Sequence, residues 1–263
     1  MKSKKGLVII ASIILFMAVL LLGANTVFSV TEIEINATSE KLSTQADLDL
    51  KTLYNALNKE YLGDNILFIR EEKVVSYFDA YPYLQVKAFK KSYPSKLELS
   101  VEEKTERYAL KAEKNGEAVY YMADAQGEIL RESKENVNNV DGGENFLIEG
   151  LRYSVESKFL SDGNLATVLT ACVKMEELTG GIRTCLKSIT VKVDATGTEF
   201  IIYTYEGVTI RIDAPAEKTE EKVEKAINFY LNLSTEDKLF GEIFVFERLD
   251  QAGEVGITHT PRV

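Results

Sequence analysis

Histidine and cysteine are rare in this chain, with one and two residues, and the carboxylates match no catalytic spacing. The single histidine, His259, lies near the C-terminus without a relay partner in the sequence, and we expect it to be solvated. Glu102 and Glu103 are neighbours in a strand pattern, where successive side chains point to opposite faces. Glu220 and Glu221 suit the positive N-terminal end of a helix. These residues predict a protein that is not an enzyme, with no catalytic residue, no metal ligands and no cofactor.

The two cysteines, Cys172 and Cys185, match neither a zinc motif nor a redox Cys-x-x-Cys pair. Cys172 falls on the apolar face of a predicted helix, where a buried thiol is the common outcome. A disulfide between the two remains the alternative. Nucleophile, metalloprotease and phosphate-loop motifs do not occur. Glycosidase carboxylates come from distant parts of a sequence, so motifs do not exclude that class.

Charge is distributed unevenly along the chain. Lys2, Lys4 and Lys5 make the N-terminal tip basic, whereas the chain as a whole has a net charge of −10. An acidic body repels nucleic acid, so we expect no nucleic-acid partner.

An apolar run follows the basic tip and predicts a membrane anchor. The run includes Leu7, Ile14 and Leu22 and contains no charge up to Val30, which is long enough for a helix across a bilayer. We therefore predict a cytoplasmic tail over 1–6 and a transmembrane helix over 7–28. The lysines would keep the N-terminus in the cytoplasm, and the bulk of this single-pass protein would be extracytoplasmic. A cleavable signal peptide is the alternative, although Ala24-Asn25-Thr26 is a poor cleavage site.

The remaining chain predicts an α+β protein of two domains. Residues 30–104 have the order β-α-α-β-β. Their first strand alternates over Val30 to Ile35, and a helix with an apolar stripe and a shorter helix from about Glu71 to Asp79 follow. Two strands end this domain, at Tyr83 to Lys90 and around 97–101, the second with one face towards water.

Residues 105–263 predict a mostly antiparallel β domain with helices on one face. One helix carries Cys172 on its apolar side, and another opens at Pro215, where the missing N–H costs nothing. The strand patterns lie at about 108–111, 118–122, 146–148, 189–193, 200–202, 208–212, 243–248 and 255–258.

This layout resembles the FtsQ/DivIB family of bacterial cell-division proteins over nearly the whole chain. The markers are Phe28 to Ile35, Leu62 to Ile69, Tyr81 to Val86, Lys91 to Pro94 and Leu97 to Glu103, in that order after the apolar run. The resemblance implies a POTRA domain over 30–104 and a β domain over 105–263.

The chain departs from the family pattern at two positions that we single out. Lys91 stands where the family usually has arginine, which keeps the charge but loses the planar fork. Glu106 stands where a proline is frequent, a difference that bears on how the start of the β domain packs.

The resemblance also implies where a partner binds. The segment from Phe244 to Asp250 and the following Ala252 to Gly256 resemble the last strands of the family. In the family, this sheet edge receives a strand from a small bitopic coiled-coil protein of the FtsB/DivIC type. The implied partner-binding residues are Phe244, Arg248, Leu249, Gln251 and Ala252.

The resemblance therefore implies a non-enzymatic divisome scaffold at the division septum. It would bridge FtsL-like and FtsB/DivIC-like bitopic proteins and control septal peptidoglycan synthesis, acting on the synthase complex indirectly. Two alternatives remain from other classes. One is a membrane-anchored cell-wall hydrolase or transferase, which needs a concave site with perturbed acids. The other is a POTRA-type secretion accessory.

Overall fold

The computed structural model describes residues 12–16, 23, 26–39, 42–139, 142–151, 162–195, 197–248 and 253–261. The chain divides into two compact units, Met1–Lys104 and Thr105–Val263. Each unit has its own apolar core.

The structure corrects the expectation of a membrane anchor. A bilayer crossing takes about 20 helical residues, and no helix within the described ranges is long and apolar enough for one. Ile14 lies in the helical stretch 12–16, whereas Leu7 and Leu22 lie outside the described residues. Lys2, Lys4 and Lys5, the predicted determinants of topology, also lie outside them. The predicted transmembrane helix, and with it the single-pass membrane localisation, is therefore wrong.

The first unit contains a three-stranded sheet with its helices packed on one core. Strand β3 lies in the middle, parallel to β1 and antiparallel to β2, so that β1 and β2 are the two edges. The elements are β1 (Glu32–Ala37), α1 (Thr44–Tyr61), α2 (Glu71–Val75), a 3-10 turn (Ser76–Ala80), β2 (Leu84–Ser92) and β3 (Lys96–Glu103).

Local sequence explains these elements. The Ser43 side chain accepts a hydrogen bond from the Ala46 backbone N–H and so caps the start of α1. Leu53 and Leu57, one helical turn apart, are completely buried. The alternation in β3 buries Leu97 and its two alternate neighbours against the same core.

The second unit is built on a nine-stranded mixed sheet in the order β12-β11-β10-β9-β8-β7-β4-β5-β6. Its strands are β4 (Tyr108–Lys114), β5 (Glu117–Ala123), β6 (Ile129–Ser133), β7 (Phe146–Glu149), β8 (Leu186–Asp194), β9 (Gly197–Thr204), β10 (Val208–Asp213), β11 (Gly241–Glu247) and β12 (Val255–Thr260). Within the described ranges its α-helices are α3 (Leu165–Thr179) and α4 (Thr219–Leu231), and a 3-10 helix spans Ile182–Thr184.

The sheet is mixed: five of its eight strand pairs in the described chain are antiparallel, which agrees with the prediction of a mostly antiparallel sheet. Three strand pairs are parallel, namely β4 with β7, β7 with β8, and β10 with β11. Helix α3 lies between β7 and β8, and α4 between β10 and β11; each returns the chain to the end at which the previous strand began. Alternation in a sequence reports which face a residue occupies but not the direction of the neighbouring strand.

A buried lysine holds the turn that leads from β10 into α4. The Lys222 amine donates hydrogen bonds to the carbonyl oxygens of Asp213, at 2.9 Å, and Ala214, at 2.8 Å. The residue is fully buried, and burial lowers the pKa of its amine, while nearby Glu217 and Asp213 raise it. The helix begins at Thr219 rather than at Pro215, because the residues between them form this turn.

Glu106 organises the start of the second unit. Its buried carboxylate accepts hydrogen bonds from Arg131 Nε at 2.7 Å and Arg131 Nη2 at 3.3 Å. It also accepts from the Asn139 backbone N–H at 3.0 Å and from Asn145 Nδ2 at 3.3 Å. The residue that stands where the family often has proline is thus a buried anion that ties β6 and the loop after it to the entry of β4.

Both cysteines are free thiols, so the structure contains no disulfide between them. Cys172 is completely buried on α3, and Cys185 is half-buried. Burial raises the pKa of both thiols, which keeps them protonated and poorly nucleophilic at neutral pH.

We expect replacement of Glu106 with alanine to lower the free energy of unfolding by about 2–3 kcal/mol, because Arg131 and two amide groups lose a buried anion. Denaturant unfolding followed by circular dichroism measures this. The control is Glu113→Ala on the same sheet, which removes an exposed carboxylate and should change stability by less than about 0.5 kcal/mol. Equal losses in the two variants would contradict the anchoring role of Glu106.

A thiol reagent should modify Cys185 slowly and leave Cys172 unmodified in the folded protein, because only Cys185 is partly exposed. Absorbance of the released chromophore, compared before and after denaturation, counts the thiols. Rapid modification of both thiols in the native protein, or fewer than two after denaturation without reductant, would contradict the assignment.

Candidate interaction edge

Strand β12 forms one edge of the nine-stranded sheet. In the described part of the chain it pairs with β11 only, antiparallel, with Val245 opposite Ile257. The Arg248 backbone N–H donates to the Glu254 carbonyl oxygen at 2.9 Å, which sets the alternation of inward and outward groups. By this alternation, the backbone N–H and C=O groups of Val255, Ile257 and His259 point away from β11.

Lysine 225 covers one end of this edge. The Lys225 amine, on α4, donates a hydrogen bond to the Val255 carbonyl oxygen. The outward groups of Ile257 and His259 have no corresponding contact among the residues that the structure describes. The open part of the edge therefore centres on these two residues.

The helix side of β12 is apolar. Ile257 and Phe229 are half-buried and pack against the core of the second unit. The His259 ring lies 5.8 Å from the Phe229 ring, centroid to centroid, with the planes tilted by 58°. His259 Nε2 is buried and has no hydrogen-bond partner within the described ranges, so the expectation of a solvated histidine is wrong at this atom.

The opposite side of β11 carries a row of half-exposed side chains. The rings of Phe244 and Phe246 stack with their centroids 5.5 Å apart, and the Arg211 guanidinium lies 5.5 Å from the Phe244 centroid. Arg211 is itself held by Glu199, 2.7 Å from Nη2, and by Glu242, 3.2 Å from Nη1. This arrangement fixes Phe244 in an ordered surface row beside the edge.

The structure places only two of the predicted partner-binding residues. Phe244 lies on β11, and Arg248 follows it, half-exposed, with Nη1 4.0 Å from Glu254 Oε2. Leu249, Gln251 and Ala252 lie outside the described residues. Sequence reasoning missed Ile257 and His259, although the alternation at 255–258 had already indicated a last strand.

Glycine at position 256 lets an aromatic ring lie across the edge strand. A Cβ atom there would come within 2.8 Å of Phe246 Cε2 and Cζ and within 3.0 Å of Arg248 Cγ. The Phe246 ring therefore packs over Gly256 on the face of the sheet opposite α4, in the space that a larger side chain on β12 would fill.

The candidate catalytic carboxylates are not brought together. Glu102 lies 2.5 Å from the Lys87 amine, and Glu103 accepts a hydrogen bond from the Ser43 backbone N–H at 2.8 Å. The pair 220–221 lies in the first turn of α4. Among the described residues, no group of three His, Cys, Asp or Glu side chains is placed to hold a metal ion.

A cavity of about 700 Å³ lies beside the start of β4. Its floor includes Tyr108, whose pKa is raised by burial so that the hydroxyl stays protonated. Glu176, on its wall, accepts a hydrogen bond from the Ile182 backbone N–H at 2.7 Å and lies 3.7 Å from Arg107 Nη1. Glu106 accepts from Arg131, and Glu177 lies 3.7 Å from the Lys174 amine, so the three acids of the cavity all have protein partners. The free edge at β12 is the stronger candidate for function.

Comparison of the chain with models of known protein families found no match, and comparison with curated protein sequences found none either.

We expect Gly256→Ala to destabilise the second unit by about 1–2 kcal/mol, because Phe246 must leave its position over β12 and its stack with Phe244. Thermal unfolding and the ring proton shifts of both phenylalanines measure the effect. The matched control is Gly163→Ala, where a Cβ atom meets nothing within 4 Å. If the two variants have the same stability and ring shifts, the packing described for Gly256 is incorrect.

Proposed function

We propose that the chain is a non-enzymatic cell-division scaffold of the FtsQ/DivIB type. Its working surface is the open edge of β12, to which a partner adds one β-strand. The partners are coiled-coil division proteins of the FtsB/DivIC type, together with an FtsL-like protein. Through them the scaffold controls septal peptidoglycan synthesis.

The observation that carries the proposal is the outward-pointing backbone of Ile257 and His259 at the end of a long sheet. An added strand forms hydrogen bonds with unpaired backbone N–H and C=O groups of this kind. Unpaired strand edges bind other chains unless they are covered. Here α4 covers only the Val255 carbonyl oxygen, through Lys225. The edge is therefore covered at Val255 but accessible to another strand at Ile257 and His259.

The magnitude of the contact indicates how specificity arises. Pairing at two outward residues forms up to four backbone hydrogen bonds, each contributing about 0.5–1.5 kcal/mol net. These bonds alone would give a modest affinity, and because they involve only backbone groups, a partner strand of any sequence could form them. Side chains on the two sides of the added strand, next to Phe229 and next to Phe246, must supply the remainder and select the partner.

In-cell photo-crosslinking from a probe at Thr258 tests the proposal. Thr258 is exposed on β12, and its own backbone groups pair with β11, so the probe leaves the outward groups intact. We expect a crosslink, identified by mass spectrometry, to a small coiled-coil division protein. Crosslinks only to cell-wall enzymes or to secretion substrates would overturn the scaffold assignment.

Ile257→Pro should reduce the yield of this crosslink at least tenfold, because proline removes the outward N–H and blocks an approaching strand. The β11–β12 hydrogen bonds do not use that N–H. The control is Ile257→Val, which keeps the N–H and the apolar side chain, and circular-dichroism melts verify that both variants fold. An unchanged yield in folded Ile257→Pro would exclude strand addition at this edge.

A further inference from the structure

The first unit has an open sheet edge of its own. Strand β1 pairs with β3 on one side, and no strand within the described ranges pairs with it on the other. The Glu32 backbone N–H donates to the Ser95 carbonyl oxygen at 3.4 Å, and that of Thr38 to the Val101 carbonyl oxygen at 2.8 Å. In a parallel ladder, alternate residues point to alternate edges. The backbone groups of 33, 35 and 37 therefore point away from the sheet.

The two edges of this sheet differ in their protection. Strand β2 has a bulge between Val86 and Ala88 and carries three lysines, both of which discourage pairing with another chain. Strand β1 pairs with β3 in regular register over all six residues and contains no lysine. Only the β1 edge is thus left suitable for an added strand.

A groove runs along this edge on the helix side. It has a volume of about 460 Å³ and lies between β1 and α1. Ile35 and Leu50 contribute half-buried apolar surface, and Tyr54 is 42% exposed. Ion-paired Asp47 and Lys51, 2.5 Å apart, lie on the same wall and add no net charge. The groove thus suits apolar side chains from one face of an extended peptide.

The face of this sheet that lies opposite the groove has an excess of negative charge. One amine, that of Lys96, serves Glu34, Glu32 at 3.4 Å and Glu98 at 3.8 Å. The Lys90 amine lies 3.3 Å from the Glu98 carboxylate, so it compensates the charge of Glu98 but not that of Glu32 or Glu34. Glu32 and Glu34 are 61% and 40% exposed and point to the side of β1 opposite the groove. Basic side chains on the second face of an extended peptide would pair with them.

We propose that the β1 edge binds an extended segment of a partner protein in which apolar and basic residues alternate. Its backbone pairs with Ile33, Ile35 and Ala37, its apolar side chains enter the groove beside Leu50 and Tyr54, and its basic side chains meet Glu32 and Glu34. This surface belongs to the first unit and does not depend on strand addition at β12.

The test uses the full chain and two capped heptapeptides, one alternating valine with lysine and the other valine with glutamate. Amide hydrogen exchange by NMR reports on Ile33, Ile35 and Ala37. We expect saturating valine–lysine peptide to slow exchange of these three amides at least tenfold, and the valine–glutamate peptide to leave it unchanged. Equal protection by both peptides, or by neither, would overturn the proposal. So would protection that grows with protein concentration alone, since a second copy would then be the occupant.

Two variants keep the test specific. Ile35→Pro removes one outward N–H and should abolish protection, whereas Ile35→Val retains it. Glu34→Gln leaves the edge intact and should weaken valine–lysine binding about two- to fivefold, as expected for loss of one exposed ion pair. If Ile35→Pro does not fold, Glu34→Gln decides, and an unchanged affinity there overturns the proposed charge pairing. Ile257→Pro should bind the peptide normally, which separates this proposal from the function proposed for β12.

Discussion

Parallel pairing of β10 with β11 is the constraint on which the candidate edge of the second unit depends. Parallel neighbours need a crossover, and α4 supplies it, packed on the sheet through Ile227 and neighbouring apolar residues. The chain then leaves β11 at the border of the sheet and returns as β12, which has a neighbour on one side only in the described structure. A direct hairpin from β10 to β11 would need no α4, and Phe229 and Lys225 would not lie beside β12.

Two buried charged side chains hold irregular backbone in the second unit, Lys222 next to this crossover and Glu106 at the entry of β4. Lys222 donates to two carbonyl oxygens at the turn into α4, and Glu106 accepts from four donors at the entry of β4. A charge removed from water is tolerated only when such partners compensate its lost hydration. In both places the charge holds irregular backbone that no regular hydrogen-bond ladder could hold.

The sheet edges of both units differ in how well they are protected. Strand β2 is protected by a bulge and lysines, and one end of β12 is covered by Lys225. The middle of β12 and the outer side of β1 have no such protection in the described residues. At a net charge of −10, like-charged copies of the chain repel each other, whereas an oppositely charged or apolar partner strand can approach such an edge.

The sequence by itself determined most of the strands and helices, since apolar periodicity reports burial: the alternation in β3 and the stripe of α1 are examples. It did not indicate β6, and it placed the start of α4 too early, at Pro215. It placed a last strand near 255–258 and Phe244 beside it, and indicated that Cys172 is buried. It did not determine strand direction, the partners of Glu106 and Lys222, or which backbone groups at Ile257 and His259 face outwards. Nor did apolar composition at the N-terminus establish a membrane-crossing helix in the described chain. Those features depend on pairing between distant segments, and only the tertiary structure decides them. Every non-proline residue has the same backbone N–H and C=O groups, so the residue types do not reveal which of these groups pair.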